Sequence, residues 1–232
     1  MKSFFGSRIG FRDPLRLIPR ALTKLYSTWV RTMYPFAHLG KNVSIHHTCD
    51  LWNTGLMDIA NSVTVHKDVW LHAHLSSEKQ GGPALKIGNR CFIARRCHIA
   101  AKNEIVLEDD VLLAAAVLIQ DHGHEFGDVA RPIKSQGVAP GGRIRIGQGS
   151  WIGQAAAIIC DSGELILGRN CVVAANAVVT RSAPPYSVLS GNPARVVKQY
   201  DPSRGIWVLG SARPSESGSA KPSADAAETV NS

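Results

Sequence analysis

Residues 87–98 read IGNRCF-IARRCH, and the same beat returns as LEDDVL-LAAAVL (107–118), IGQGSW-IGQAAA (146–157) and LGRNCV-VAANAV (167–178). Each six-residue unit opens with Ile, Leu or Val, usually continues with Gly or Ala, and carries Cys, Val, Ser or Ala at its fifth place. Earlier copies are LGKNVS-IHHTCD (39–50) and IANSVT-VHKDVW (59–70). Neither the two-residue period of a strand nor the 3.6-residue period of a helix yields a six-residue beat. Three short strands per coil of a triangular prism do. One branched aliphatic per unit points inward and stacks on its equivalent in the next coil, so successive coils bury a column that one coil could not bury alone. The slim residues mark the corners, where Gly or Asn accepts a positive φ at little cost.

The beat fails once at length. Ile87 and Leu107 are about one coil apart, as are Ile146 and Leu167, but Leu107 and Ile146 are separated by about two. The excess, around QDHGHEFGDVARPIKSQGVAPGG (120–142), is polar and rich in Gly and Pro. It reads as a loop projecting from one corner, and long loops on rigid scaffolds commonly carry function.

The predicted organisation has three parts: a basic, amphipathic helical segment over 1–37, an all-β repeat domain over 38–200 with the loop 120–142 inserted, and a mostly disordered tail over 201–232. Asp13-Pro14 can start the first helix, and Pro19 is expected to break or restart it. Leu22, Leu25 and Trp29 share one face, and Arg16, Arg20 and Lys24 another. That pattern suits either packing on the main domain or peripheral contact with a membrane surface, to which Phe4, Phe5 and Phe11 would add. The tail is too rich in Ser, Ala, Pro and charge to offset its ordering entropy.

Composition sets outer bounds. The formal charge of +8 over 232 residues favours anionic partners, but no basic–aromatic weave of a nucleic-acid binder is present. The five cysteines, Cys49, Cys91, Cys97, Cys160 and Cys171, form no CxxC pair and read as small buried side chains. The N-terminus lacks a continuous apolar h-region and no stretch is apolar enough to span a bilayer, which predicts a cytoplasmic protein.

Hexads at this density resemble those of the hexapeptide-repeat acyltransferases. The loop opening DHGHEF (121–126), IGQGSWIG (146–153), VVTRSAPPYSV (178–188) and SGNPARVV (190–197) look like the branch that includes the maltose, galactoside and bacterial polysaccharide O-acetyltransferases. The resemblance implies a left-handed parallel β-helix, an exception to the right-handed crossover rule, and a homotrimer. It also implies acetyl-CoA as co-substrate, a saccharide acceptor in exopolysaccharide or lipopolysaccharide biosynthesis, and no metal. His122 takes the place of the family's general base, with His124 as fallback, since a neutral imidazole titrates near working pH. Asp121 or Glu125 would orient the imidazole. On the donor side, Trp151 matches a tryptophan near the CoA arm, and Gln154 and Ala175 match positions lining the pantetheine slot. Thr180 and Arg181 match a Thr-Lys pair, and Arg195 and Lys198 match basic positions suited to CoA phosphates. The chain departs from the pattern at CDSGELILG (160–168), and at Ala94, which cannot make the polar acceptor contact of the galactoside branch.

Three alternatives remain at this stage. One is N-acylation of an amino-sugar nucleotide, which needs a similar base. Another is a zinc carbonic anhydrase-like centre using His98, His122 and His124, although their spacing does not match that family's ligand pattern. The third is a non-enzymatic β-helix scaffold.

Overall fold

The computed structural model describes residues 17–74 and 81–209, with side chains from residue 21 onward. The chain winds as a left-handed parallel β-helix whose three faces are parallel sheets. The first sheet runs His38–Leu39, Met57–Ile59, Leu85–Ile87, Glu104–Leu107, Gly141–Ile146 and Ser162–Leu167. The second begins Ser44–Ile45, Thr64–Val65, Phe92–Ile93 and Leu112–Leu113, and continues Trp151–Ile152, Val172–Val173 and Ser187–Gly191. The third contains Asp50–Trp52, Trp70–Ala73, His98–Ala101, Leu118–Gln120, Ala157–Ile159 and Val178–Val179.

The register turns the sequence beat into columns. In the third sheet Leu71 pairs with Ile99, Ile99 with Ile119, Ile119 with Ile158 and Ile158 with Val179. All five are buried, as are Ile45, Val65, Ile93, Leu113, Ile152 and Val173 beneath the second sheet. Burying one such side chain contributes roughly 1.5–3 kcal/mol, so the stacked columns supply the core that the short strands lack individually. All five cysteines are buried and free within this packing. Burial pushes the Cys49, Cys91 and Cys97 thiols up to about 11, which leaves them protonated and unreactive.

The corners correct one expectation. Positive φ falls on Asn42, Ser62, Arg90, Asp110 and Asn170 at one corner and on Asp68, Arg96, Ala116, Ala155 and Asn176 at another. Gly149, at φ 71°, holds the same place in its coil, so the expected Gly or Asn holds four of these corners and other residue types hold seven. The glycine at the second place of the unit is needed for close approach instead. A Cβ on Gly147 would lie 2.5 Å from the Arg169 nitrogen of the next coil.

The helix Leu17–Met33 caps the open N-terminal end of the prism. The helix runs through Pro19 without a break among the described residues; the proposed start at Asp13-Pro14 lies outside them. The face that packs on the prism is not the one that carries Leu22, Leu25 and Trp29. Val30 is buried with Tyr26 packed beside it, and Ser27 Oγ accepts the Ile45 N–H at 2.9 Å. Arg31 donates to the Leu39 and Gly40 carbonyls. These contacts satisfy the edge of the first coil, and they turn Leu22, Leu25, Trp29 and Met33 outward. No helix among the described residues is long and apolar enough to cross a membrane.

At the other end, Ala194–Asp201 and Ile206–Leu209 add two antiparallel strands to the second sheet, with Asn192-Pro193 in the preceding turn. Regular structure thus continues to Leu209, nine residues beyond the expected boundary at 200. The apolar run IWVL pairs with the preceding strand, and the Trp207 ring meets Tyr200 at 5.5 Å. The rest of the predicted tail lies outside the described residues.

Candidate active site

The long loop leaves the prism after Gln120, at the corner between the third and first sheets, and returns at Gly141. Asp121 is fully buried at this exit. Its Oδ1 accepts the Lys102 N–H at 2.8 Å, and its Oδ2 accepts those of Asn103 at 2.8 Å and Glu104 at 3.0 Å. Three backbone donors from the preceding coil therefore fix the carboxylate. His122 Nδ1 lies 2.8 Å from the same Oδ1. An oxygen that already accepts an N–H acts as an acceptor toward the ring as well, so Nδ1 carries the hydrogen. Nε2 is then the nitrogen left to take a proton.

The return of the loop holds this pair in place. Gly142 N–H donates to the Asp121 carbonyl at 2.6 Å. Gly141, at φ 82°, passes so close that a Cβ would lie 2.5 Å from that carbonyl and 2.9 Å from His122 Cβ. Lys102 Nζ donates to the Ala139 carbonyl, and Asn103 Nδ2 to the carbonyls of Pro140 and Gly142. The loop body has bonds of its own: Asp128 receives Arg131 and Ala130, and Gln136 ties to the Asp128 and Arg131 carbonyls.

The two fallback residues sit differently. His124 and Glu125 are exposed on the loop. His124 Nδ1 is 3.3 Å from the Gly137 carbonyl, and the Glu125 N–H donates to that same carbonyl. Asp121 rather than Glu125 is the carboxylate at the His122 ring. Among the described residues no three His, Cys, Asp or Glu side chains converge as a metal cage.

The donor candidates occupy three places. Gln154 and Ala175 are exposed in consecutive coils at the corner between the second and third sheets, where the Asn176 N–H donates to the Gln154 carbonyl. Trp151 stands half exposed on the outer face of the second sheet, paired with Leu112 and Val172. Thr180 and Arg181 are exposed just past Val178–Val179, at the same corner of the prism as His122 but in later coils. Arg195 and Lys198 are exposed on the antiparallel strand, opposite Ser190 and Val188. These side chains do not form one cluster. They line the C-terminal coils from two corners and a face.

The third sheet's outer face connects these regions. In its C-terminal coils it presents Leu118, Ala157, Ile159 and Val178, all half-buried. In its N-terminal coils it presents Asp50, Trp52, Trp70, His72 and His98. His74 follows directly, with its ring 5.1 Å from that of His122 in edge-to-face contact. Sequence reasoning named His98 only in the zinc alternative and did not single out His74. The signal was present, since residues flanking the inward Leu71 and Ile99 must point outward on one face.

Burial, and then the neighbouring imidazoles, hold His74 and His98 below the usual histidine range. The unfolded chain, with ordinary histidines near 6.5, therefore binds more protons than the folded one as pH falls from about 6.5. The stability contribution is full above that pH and is lost as pH drops through the lower folded values. Thermal unfolding is expected at a lower temperature at pH 5 than at pH 7. The double variant His74→Asn, His98→Asn should shrink that difference without abolishing it, because His46 is lowered in the same direction. An unchanged difference would contradict the assignment.

No family model matches the chain. The Mycobacterium tuberculosis protein named "Probable acetyltransferase Rv3034c" is 32% identical over 160 residues, covering 69% of this chain and 49% of that protein. The Escherichia coli "Putative lipopolysaccharide biosynthesis O-acetyl transferase WbbJ" is 32% identical over 100 residues, 40% of this chain and 50% of that protein. The chain thus spans about half the length of the curated relatives it matches. Among solved structures, a mutant of AntD, an N-acyltransferase from Bacillus cereus in complex with dTDP and coenzyme A, superposes with a TM-score of 0.61. It shares 20% identity over 77% of this chain and 90% of that one. Over its repeat region the chain is therefore similar in sequence to acetyltransferases, and its prism is the fold implied by the resemblance to the hexapeptide-repeat acyltransferases.

Proposed function

We propose that the chain is an acyl-CoA-dependent O-acyltransferase that moves an acetyl group onto a saccharide hydroxyl, working as a homotrimer. The observation that carries this reading is the His122–Asp121 pair, fixed by three backbone donors at the root of the loop. His122 Nε2 takes the hydroxyl proton as the oxygen attacks the thioester carbonyl. The C–S bond then breaks, and the imidazolium returns its proton to the departing thiolate, giving the ester and free CoA. Asp121 keeps the ring oriented and offsets the charge that forms on it.

Acetyl-CoA is assigned to the C-terminal coils. The half-buried Ala157, Ile159 and Val178 offer an apolar track for pantetheine between the Gln154–Ala175 corner and His122. Thr180 and Arg181 border that track, and Trp151, Arg195 and Lys198 lie on the second sheet of the C-terminal coils, so an indole, a hydroxyl and cations are offered there for the nucleotide and its phosphates. A saccharide hydroxyl is favoured over an amine by the sequence likeness to the O-acetyl transferase WbbJ.

The test is chemical. Purified protein is incubated with labelled acetyl-CoA and a panel of hydroxyl and amino sugars, and the labelled product is treated with hydroxylamine. A hydroxylamine-labile ester is the expected product. A stable amide would move the reading to amino-sugar N-acylation, and label transfer to no acceptor would remove the enzymatic reading.

A further inference from the structure

The N-terminal half of the third sheet's outer face carries side chains that the donor half has no use for. Trp70 lies 5.3 Å from His72, nearly parallel at 14°, and 5.0 Å from His98 in edge contact. Trp52 adds a further ring 5.7 Å from His72. Trp52 and Trp70 remain 58% and 47% exposed. His72 is the opposite case. Its side chain is 14% exposed, and its Nε2 pairs with Asp50 Oδ2 at 3.2 Å without a hydrogen bond.

We propose that Trp52, Trp70, His72 and His98 form the acceptor subsite, with Trp70 stacking on the ring of a pyranoside whose hydroxyl is presented to His122. The inference rests on the reading of His122 as the acyl-transfer base and names what that base acts on. A pyranose has an apolar C–H face and a rim of hydroxyls. It matches a surface of aromatic faces bordered by ring nitrogens better than an apolar or purely anionic ligand does. Position supports the same assignment. The polar and aromatic half of the face lies on the N-terminal side of His122 and the apolar half on the C-terminal side. An acceptor and a thioester arriving from the two halves therefore meet at the imidazole. The contact between His74 and His122 makes the acceptor half continuous with the base.

The experiment is saturation-transfer NMR on the full chain with methyl α-D-glucopyranoside, methyl β-D-galactopyranoside and methyl α-D-mannopyranoside. At least one is expected to receive saturation, strongest at ring C–H protons. Trp70→Ala should weaken its binding about tenfold, and Trp70→Phe should restore part of the loss. Trp207→Ala, at an exposed indole outside the subsite, should leave it unchanged. Both Trp70 variants should keep the wild-type affinity for CoA. Equal saturation in wild type and Trp70→Ala, or none with any of the three pyranosides, would overturn the proposal. So would a lower oligomeric mass for Trp70→Ala, which would make the face a contact between copies. Failure of the acyltransfer reading appears separately, as absence of CoA binding and thiol release with pyranoside binding intact.

Discussion

His122→Ala is expected to lower acetyl transfer by about two to four decades while leaving CoA affinity within error of wild type. General-base catalysis by a positioned imidazole is typically worth ~10²–10⁴ in rate. The substitution removes the only group at the loop root that combines a carboxylate-bound Nδ1 with a second ring nitrogen able to take a proton. The surrounding structure should persist, because Asp121 keeps its three backbone donors and Gly141 still packs against the same carbonyl. Transfer is followed by thiol release and CoA affinity by calorimetry. His124→Ala should cost little in either, since His124 is exposed and its ring meets a loop carbonyl rather than a carboxylate. The reverse ranking of the two variants would reassign the base.

Asp121→Asn is the second large effect, and it should act on stability as well as rate. Oδ1 faces the Lys102 N–H and the His122 ring, and Oδ2 faces the N–H groups of Asn103 and Glu104. Whichever way the carboxamide turns, its NH2 meets donors where an acceptor stood. Each buried donor left without a partner costs about 1–3 kcal/mol, so a loss of roughly 2–5 kcal/mol is expected in denaturant unfolding. Transfer should fall by about 10²–10⁴, because the carboxamide also no longer fixes the tautomer with hydrogen on Nδ1. Asp161→Asn, at an exposed carboxylate in the next coil, is the control and should leave both quantities near wild type. A fully stable, fully active Asp121→Asn protein would contradict the role of the buried carboxylate.

The prism was legible because its cause is local and repeated. The aliphatic that opens each unit is the residue stacked in each column, and the one long interruption of the beat is the loop that bears His122. The helix was legible as helical from its periodicity, but which of its faces packs on the prism was not. Both faces carry apolar residues at helical spacing, and only the first coil, with Ser27 bonded to Ile45, decides which one packs. Strand Ile206–Leu209 was missed because four apolar residues beside a polar tail give no period; pairing with the preceding strand decides it. At the site, His122 and Asp121 adjoin in sequence, and Asp121 was one of two candidate carboxylates. The partners of Asp121 are backbone groups of Lys102, Asn103 and Glu104, about one coil earlier, and backbone donors leave no mark in residue identity. Trp70, His72 and His98 did carry a signal, since they flank the inward Leu71 and Ile99, but their meeting across two coils depends on the register.

The most direct measurement is calorimetric titration of the purified chain with acetyl-CoA and with CoA in metal-free buffer, for wild type and for the double variant Arg195→Ala, Lys198→Ala. Saturable binding near one site per chain, weakened in the double variant and unaltered by His122→Ala, is the expected result. No binding of either ligand by the wild-type protein would contradict the assignment of the C-terminal coils to an acyl-CoA donor, and with it the proposed function.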